Sequence, residues 1–443
     1  MVDAIYLAQS SDTTPSVIEK KNVEFEQSGL IHSKVAGRFE IIQELPKSAD
    51  SFNEMFDYAD VYGIIKLAYI DSAHKISATK SNETKRASSV GGEIGFSTAE
   101  YKGIRANITA YISQNLNFLN HENLNEDFLT AEQKSFIYLA EANLEYANEM
   151  VQAKVGRLKV ETPFANSDDI RLAPNTFEGV WMNVDYTSQI HSQMMYLNRW
   201  AGYDSQDEES LSSQNQFKKL VNEESFGMLG VSLTYEFAKN SELSFWYNYI
   251  DDMASIAYAE LVGIYFIEGD AVHIDYGIQA SHAEELNDSN VAGDVFGAMG
   301  IIHYKGAFVG GAYNISLSDA GKYTTNGFGG GPNYTSLDEA TISAISQARA
   351  SYQNEESLSS NNNAEAFRIG AGYEFDTQSF EGLVIEAVYG ELYNDSGKIK
   401  ESDLILSYDF SQRWNLQATY TNYKSSCEKN TFDRTLVKLN YSF

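Results

Sequence analysis

The histidines and the single glycine cluster are the residues of this sequence that could suggest catalysis or a bound cofactor. The seven histidines are dispersed, without a His-x-x-x-His or His-Glu-x-x-His spacing, so the sequence predicts no zinc site. His273 and His282 could in principle assist a hydrolytic barrel enzyme, but no nucleophile motif accompanies them. The glycines at 327–331 lack the Gly-Lys-Ser/Thr of a phosphate-binding loop. We therefore expect no enzyme and no cofactor.

Charged side chains that recur at every second position suggest a different chemistry, the lining of a water-filled pore. Apolar Val272, Ile274 and Tyr276, for example, alternate with His273 and Asp275. Successive side chains of a strand point to opposite faces, so the charges share one face. By this parity the basic residues expected on the inner face are Lys66, Arg105, Lys154, Arg368 and Lys438. The acidic residues expected there are Glu141, Glu145, Glu236, Asp275, Glu374, Glu386 and Asp409.

The last residues of the chain show the kind of element that would position these charges. Val437, Leu439, Tyr441 and Phe443 alternate with polar residues, which is the pattern of a strand with one apolar face. The same alternation recurs along the chain and predicts about 18 antiparallel strands. The predicted strands cover 60–71, 88–98, 103–114, 136–146, 150–159, 177–187, 189–200, 225–237, 241–250, 253–265, 270–282, 293–304, 306–317, 364–376, 381–391, 399–410, 413–424 and 433–443.

The connections between the predicted strands alternate in length. Short ones, such as 99–102 and 238–240, alternate with long ones, such as 72–87, 115–135 and 318–363. Outer-membrane barrels have short periplasmic turns and long external loops. The sequence therefore predicts an all-β transmembrane barrel in the bacterial outer membrane, with both termini periplasmic.

The composition agrees with such a barrel and excludes other classes. The 443 residues are 43% hydrophobic and 13% aromatic, and no run is apolar for about 18 residues, so no transmembrane helix is expected. A net charge of −30 argues against nucleic acid as a partner. The single cysteine, Cys427, excludes an internal disulfide. A tyrosine-rich soluble β-sandwich is the alternative that the composition leaves open.

Three segments carry a resemblance to a known family. The segment 156–180 contains Thr-Pro followed by Arg-Leu-x-Pro-x-Thr-Phe-x-Gly-Val, the segment 89–103 is a strand, a short turn and the next strand, and 56–71 leads into the first strand. Together they resemble the OprD family of outer-membrane porins. The order of the segments and the number of strands extend the resemblance over residues 56–443.

The resemblance implies that the loop at 160–176 folds into the lumen and narrows it. Arg171 would then be one charged wall of the constriction, with Glu161, Asp168 and Asp169 as acidic neighbours. Many members of the family pass carboxylates along a row of arginines. Because the acidic residues expected on the inner face outnumber the basic ones here, we expect a preference for cations or neutral solutes.

The predicted organisation is an N-terminal extension of unknown role at 1–55 and a porin domain at 56–443. A further strand could cover 34–44, and no complete signal peptide is visible at the start. The expected function is a diffusion channel for small hydrophilic solutes and ions. The expected surroundings are outer-membrane lipid and lipopolysaccharide, and the expected assembly is a homo-trimer or a monomer. The alternative function is a non-conducting barrel that acts as an adhesin or scaffold through its long loops.

Overall fold

The chain folds into one closed antiparallel β-barrel of 18 long strands. The structure is a computed structural model, and it describes residues 48–76, 81–116, 124–168, 171–206, 214–267, 272–351, 361–377, 380–395, 397–426 and 430–443. The proposed strand at 34–44, Asp169 and Cys427 lie outside the described residues. Residues 1–47 are not described either, so the division into an extension at 1–55 and a porin domain at 56–443 stays a prediction.

All 18 predicted strands overlap a barrel strand of the structure, which confirms the predicted fold class. The strands are β1 Asp60–Ile76, β2 Ser81–Ser97, β3 Ile104–Asn115, β4 Phe136–Ala147, β5 Val151–Leu158, β6 Thr176–Asp185, β7 Ile190–Ala201, β8 Met228–Ala238, β9 Ser241–Ile250, β10 Ala254–Phe266, β11 Val272–Glu285, β12 Gly293–Tyr304, β13 Ala307–Leu317, β14 Ala364–Phe375, β15 Leu383–Asn394, β16 Gly397–Ser411, β17 Trp414–Ser425 and β18 Asn430–Ser442.

The other described elements are short, and apart from Lys218–Lys219, which pairs with residues 199 and 200 of β7, none of them is a strand of the barrel sheet. They are the helices α1 Glu54–Asp57 and α2 Ile342–Ser351, the 3-10 turns Glu126–Phe128 and Tyr203–Ser205, and the two-residue strands Glu161–Thr162, Ala165–Asn166 and Lys218–Lys219. Among the described residues, no helix has the length and apolar character that crossing a membrane would require.

The barrel is closed by pairing its last strand with its first. Leu67 of β1 lies opposite Leu439 of β18. Beyond the strand, the amide of Phe443 donates to the carbonyl of Gly63 at 3.0 Å, and the amide of Gly63 donates back at 3.1 Å. Closure removes both sheet edges, so no row of backbone donors is left unpaired in lipid.

Alternation gives the wall an apolar outer face and a polar inner face. On β1, Ile65 and Leu67 are 44% and 46% exposed, whereas Lys66 between them is 2% exposed. At the lower end, the ring of Tyr441 lies 4.7 Å from that of Trp414 and 6.3 Å from that of Phe443. An outward aromatic group at this height is typical of the girdle that anchors a barrel at the membrane interface.

The short turns lie at the end of the barrel that also holds Phe443. Lys305 and Gly306 form a two-residue turn between β12 and β13 with φ angles of 47° and 79°. Two successive positive φ angles match the turn type whose twist fits a hairpin. This end is the periplasmic one, since outer-membrane barrels keep their short turns there.

The predicted external loop at 72–87 is too long. β1 and β2 remain paired up to Ile76 and Ser81, so only residues 77–80 connect them. The sequence hides this extension because both faces carry polar residues, such as His74, Lys75 and Glu83. Above the bilayer both faces of a hairpin are wet, and the apolar–polar alternation that reveals a strand is lost.

Candidate functional site in the lumen

The connection between β13 and β14 does not stay outside the barrel. The hydroxyl of Tyr334 donates to Glu260 of β10 at 2.7 Å, and Arg368 of β14 donates to the carbonyl of Ser336 at 2.6 Å. Glu401 of β16 accepts the backbone amides of residues 339 and 340 at 3.0 and 2.8 Å. Because these partners face inward from well-separated strands, this part of the predicted external loop 318–363 crosses the lumen.

The connection between β5 and β6 enters the lumen as well and pairs with the first insertion. Backbone bonds join Phe164 and Phe328 at 3.0 Å, and Asn166 and Phe328 at 2.9 Å. The ring of Phe164 packs edge-on against Tyr258 of β10, with 5.9 Å between the centroids. The two inserted connections therefore narrow the lumen together.

Arg171 lies where four connections meet, and its side chain is fully buried. Its Nε donates to Asp127 at 2.8 Å and its Nη2 donates to Glu339 at 2.6 Å. The guanidinium also covers the ring of Tyr203, 4.6 Å from its centroid. One arginine thus joins the β3–β4, β5–β6, β7–β8 and β13–β14 connections, with Tyr203 belonging to the third of them.

A second arginine ties the same group to the barrel wall. Arg434 of β18 bonds both Asp338 and Glu339, and the hydroxyl of Thr421 on β17 donates to Asp338 at 2.8 Å. Glu339 is therefore shared by two guanidinium groups. We call Asp127, Arg171, Asp338, Glu339 and Arg434 the arginine junction.

Two members of the junction, Arg171 and Asp338, are held in the ionised state by their neighbours. Burial disfavours the charge of Arg171, but Tyr203, Asp127 and Glu339 outweigh it and hold the pKa of Arg171 well above its ordinary value. Burial would likewise raise the pKa of Asp338, yet Arg434 and Arg171 lower that pKa below its usual range. Arg171 and Asp338 are thus held in their charged forms by the groups around them.

The two signs of charge in the junction differ in exposure. The side chains of Arg171 and Arg434 are 0% and 5% exposed. Their partners Asp127, Glu339 and Asp338 are 20%, 26% and 19% exposed. The arginines therefore lie behind the carboxylates, and the surface that water reaches is acidic.

A second charged group, here called the lysine wall, lies on the inner face of β2 to β5. Lys159 is 34% exposed, and its Nζ lies 3.0 Å from a carboxylate oxygen of Glu93 and 3.7 Å from one of Glu141. On the neighbouring pair, Lys154 lies 3.9 Å from Glu145. Here the basic groups are the more exposed partners: Lys159 and Lys154 are 34% and 32% exposed, whereas Glu93, Glu141 and Glu145 are 4%, 15% and 9% exposed.

The structure separates the residues that were predicted to form the constriction. Glu161 and Asp168 are partly exposed in the inserted β5–β6 connection, whereas Arg171 is buried. Asp169 lies outside the described residues. The assignment of these four residues to the narrowest point stays a prediction, and the burial of Arg171 shows that this side chain holds other segments together.

The predicted wall residues all occupy inward-facing strand positions, but their exposure varies. The buried ones are Lys66, Glu145, Arg368, Glu386 and Lys438. The partly exposed ones are Arg105, Glu141, Lys154 and Asp275. The exposed ones are Glu236, Glu374 and Asp409. The exposed ones lie close to the short turns, so these charges meet water near the periplasmic mouth.

The sequence reading missed most of the charged residues that the structure brings together. Some of these missed residues lie at inward-facing strand positions, so the same parity rule could have identified them. These are Glu93, Glu401, Asp403 and Arg434. Others lie in connections, where no periodicity marks an inward residue. These are Asp127, Lys159, Asp338 and Glu339.

Comparison with known proteins decides what kind of barrel this is. A family model described as "outer membrane porin, OprD family" matches residues 140–443, more than half of the chain. The chain belongs to the OprD family of outer-membrane porins. It is therefore a porin channel of the bacterial outer membrane, and the porins of this family are non-enzymatic channels. No curated protein sequence matches the chain.

Solved porins share the fold at low sequence identity. OpdK of Pseudomonas aeruginosa, solved with vanillate, is similar with a TM-score of 0.70 and 13% identity, over 88% of this chain and 99% of OpdK. A BenF-like porin from Pseudomonas fluorescens Pf-5 is similar with a TM-score of 0.71 and 13% identity, over 88% of this chain and 99% of that porin. OccAB4 of Acinetobacter baumannii is similar with a TM-score of 0.66 and 15% identity, over 87% of this chain and 98% of OccAB4. These likenesses support the barrel fold and its closure.

Proposed function

We propose that this porin favours cations and neutral solutes over anions. The observation that carries the proposal is the arrangement of the arginine junction, in which buried arginines lie behind partly exposed carboxylates. A permeating ion interacts most strongly with the charges that reach water, because burial in protein separates it from the others. The field at the inserted connections therefore attracts cations.

Further carboxylates on the inner face add to the same field. Glu236, Glu374 and Asp409 are exposed towards the periplasmic mouth, where they reach the water of the lumen. OpdK, one of the similar structures, is known with vanillate, which is a carboxylate. We infer that anions of this kind are disfavoured in the present chain, because they would meet an acidic surface at both levels.

The test is the reversal potential of the purified protein in a planar bilayer under a potassium chloride gradient. We expect the sign that corresponds to potassium permeating faster than chloride. A reversal potential near zero or of the opposite sign would overturn the cation preference while leaving the porin assignment in place. A protein that inserts but carries no current would instead favour the non-conducting alternative.

The surroundings of the barrel are a separate expectation. We infer contact with lipid and lipopolysaccharide from the apolar outer face and the outer-membrane location. The choice between a monomer and a homo-trimer is open to a mass measurement in detergent, since a trimer would triple the protein mass of the particle.

A further inference from the structure

Two histidines and an aspartate meet on the inner wall near the periplasmic mouth. His273 of β11 lies directly opposite His303 of β12 in the strand register, and Asp275 is the next inward residue on β11. The two imidazole rings are stacked, with centroids 4.2 Å apart and planes 9° from parallel. This arrangement brings together two aromatic nitrogens and one carboxylate that the sequence separates by up to 30 residues.

The nitrogens of both rings point at the same carboxylate. Nε2 of His303 lies 3.0 Å from Oδ2 of Asp275, and Nε2 of His273 lies 4.0 Å from Oδ1. Each residue offers one such atom, and the three atoms lie within 4.8 Å of one another. Two ligands that are each about 2.0–2.1 Å from a tetrahedral zinc ion lie about 3.4 Å apart, between the two observed distances.

Hydrogen bonding does not account for one of the two carboxylate oxygens of Asp275. The bond between His303 and Asp275 accounts for Oδ2, whereas Oδ1 of Asp275 is buried and accepts no hydrogen bond within the described structure. A buried carboxylate oxygen without a partner is costly, and buried charges in proteins are usually paired or bound to a metal ion. A cation between Oδ1 and Nε2 of His273 would supply the missing partner.

We propose that His273, Asp275 and His303 bind one divalent transition-metal ion on the inner wall of the pore. Two imidazoles and one carboxylate are ligands that suit zinc and related ions better than calcium or magnesium, which prefer oxygen alone. Water from the lumen would complete the coordination. The proposal concerns binding and does not depend on the cation preference proposed above.

The neighbouring strands hold the rings in place and leave them accessible. Phe266 lies opposite His273 and Phe308 lies opposite His303, with ring centroids 5.6 and 5.9 Å apart. The side chains of His273, Asp275 and His303 are 22%, 24% and 13% exposed. An ion in the lumen can therefore reach ligands whose rotation is limited by aromatic packing.

The experiment consists of two titrations of the detergent-purified full chain. Binding of zinc chloride is measured by isothermal titration calorimetry, and binding of cobalt chloride is measured by visible absorption. We expect one saturable site whose dissociation constant rises at least about tenfold in His273→Gln and in His303→Gln. Cobalt bands of the wild-type protein should weaken in the same two variants. His282→Gln is the control, because His282 also bonds a carboxylate, Asp294 at 2.7 Å, but has no second imidazole beside it.

Two results would overturn the site. One is a wild-type protein that shows no saturable zinc binding, and the other is a pair of variants that bind zinc as tightly as the wild type. Conductance without metal shows whether each variant is folded, since a misfolded barrel gives no wild-type channels. Asp275→Asn serves as a third variant if a histidine variant fails this check.

Discussion

The arginine junction and the lysine wall use the same chemistry at opposite degrees of burial. In the junction, Arg171 and Arg434 are withdrawn from water and connect segments that lie far apart in the chain. In the lysine wall, Lys159 is about one third exposed and joins residues of neighbouring strands. The first group fixes where the inserted connections lie, and the second adjusts the charge that a solute meets.

The difference follows from the cost of removing charge from water. A buried arginine must keep all its carboxylate partners, because an unpaired buried charge costs several kcal/mol. An exposed pair can exchange its partner for water, so its loss changes stability little but changes the local field. Burial therefore separates residues that hold the inserted connections from residues that set selectivity.

Removing the central arginine should have the largest effect. Arg171→Met leaves Asp127 without its guanidinium partner and Glu339 with Arg434 alone, and breaking a buried pair costs about 3–5 kcal/mol. We expect amide hydrogen exchange in residues 324–341 to accelerate at least about a hundredfold, since 1.36 kcal/mol corresponds to tenfold. Single-channel conductance should rise as the inserted segment is released.

Arg157→Met is the matched control for that experiment. Arg157 also pairs with a carboxylate, Glu178 at 3.4 Å, but the two side chains are 35% and 40% exposed. Exposed pairs contribute about 0–1 kcal/mol, so exchange in residues 324–341 should be unchanged. Equal protection of that segment in both variants would show that Arg171 does not hold it.

Neutralising the lysine wall should alter selectivity without releasing the inserted segment. Lys159→Gln removes a positive charge that is one third exposed to the lumen and leaves the carboxylates of Glu93 and Glu141 behind it without their base. We expect the permeability ratio of potassium to chloride to rise up to about fivefold, which corresponds to the roughly 1 kcal/mol of an exposed charge pair. The measurement is the reversal potential in a salt gradient, with Lys159→Arg as the charge-preserving control. A ratio that falls or stays constant would place Lys159 away from the permeation path.

The same contrast explains what the sequence could predict. Side-chain parity in a strand is local, so the pattern gave all 18 strands and the inward position of residues such as Lys66 and Glu386. The prediction that the β5–β6 connection enters the lumen came from the resemblance to a family, not from any periodicity. The lysine wall was predicted only in part, since Glu141 follows parity, whereas Lys159 lies just beyond β5, where neither parity nor the resemblance marks it.

The junction lay beyond prediction because its contacts are long-range and irregular. Arg171 and Glu339 are 168 residues apart, and Asp338 and Arg434 are 96 residues apart. Asp338 and Glu339 lie in a connection with no repeating pattern, so nothing local shows that they face a guanidinium. The group at His273 and His303 was missed for a related reason: its ligands are neighbours through strand register, not through spacing in the sequence.

The smallest effect is expected from mild acidification, which should leave the junction intact. Burial alone would raise the pKa of Asp338, but Arg434 and Arg171 lower that pKa below its ordinary value of 3.8. A carboxyl with a depressed pKa stabilises the folded state at any pH above its ordinary pKa, and this contribution is lost only as the pH falls through the depressed value. Protection of residues 324–341, corrected for the intrinsic exchange rate, should therefore be the same at about pH 7 and about pH 5. Protection that falls within this interval in the wild type, but not in an Asp338→Asn variant, would mean that Asp338 takes up a proton there and that the arginines do not hold it ionised.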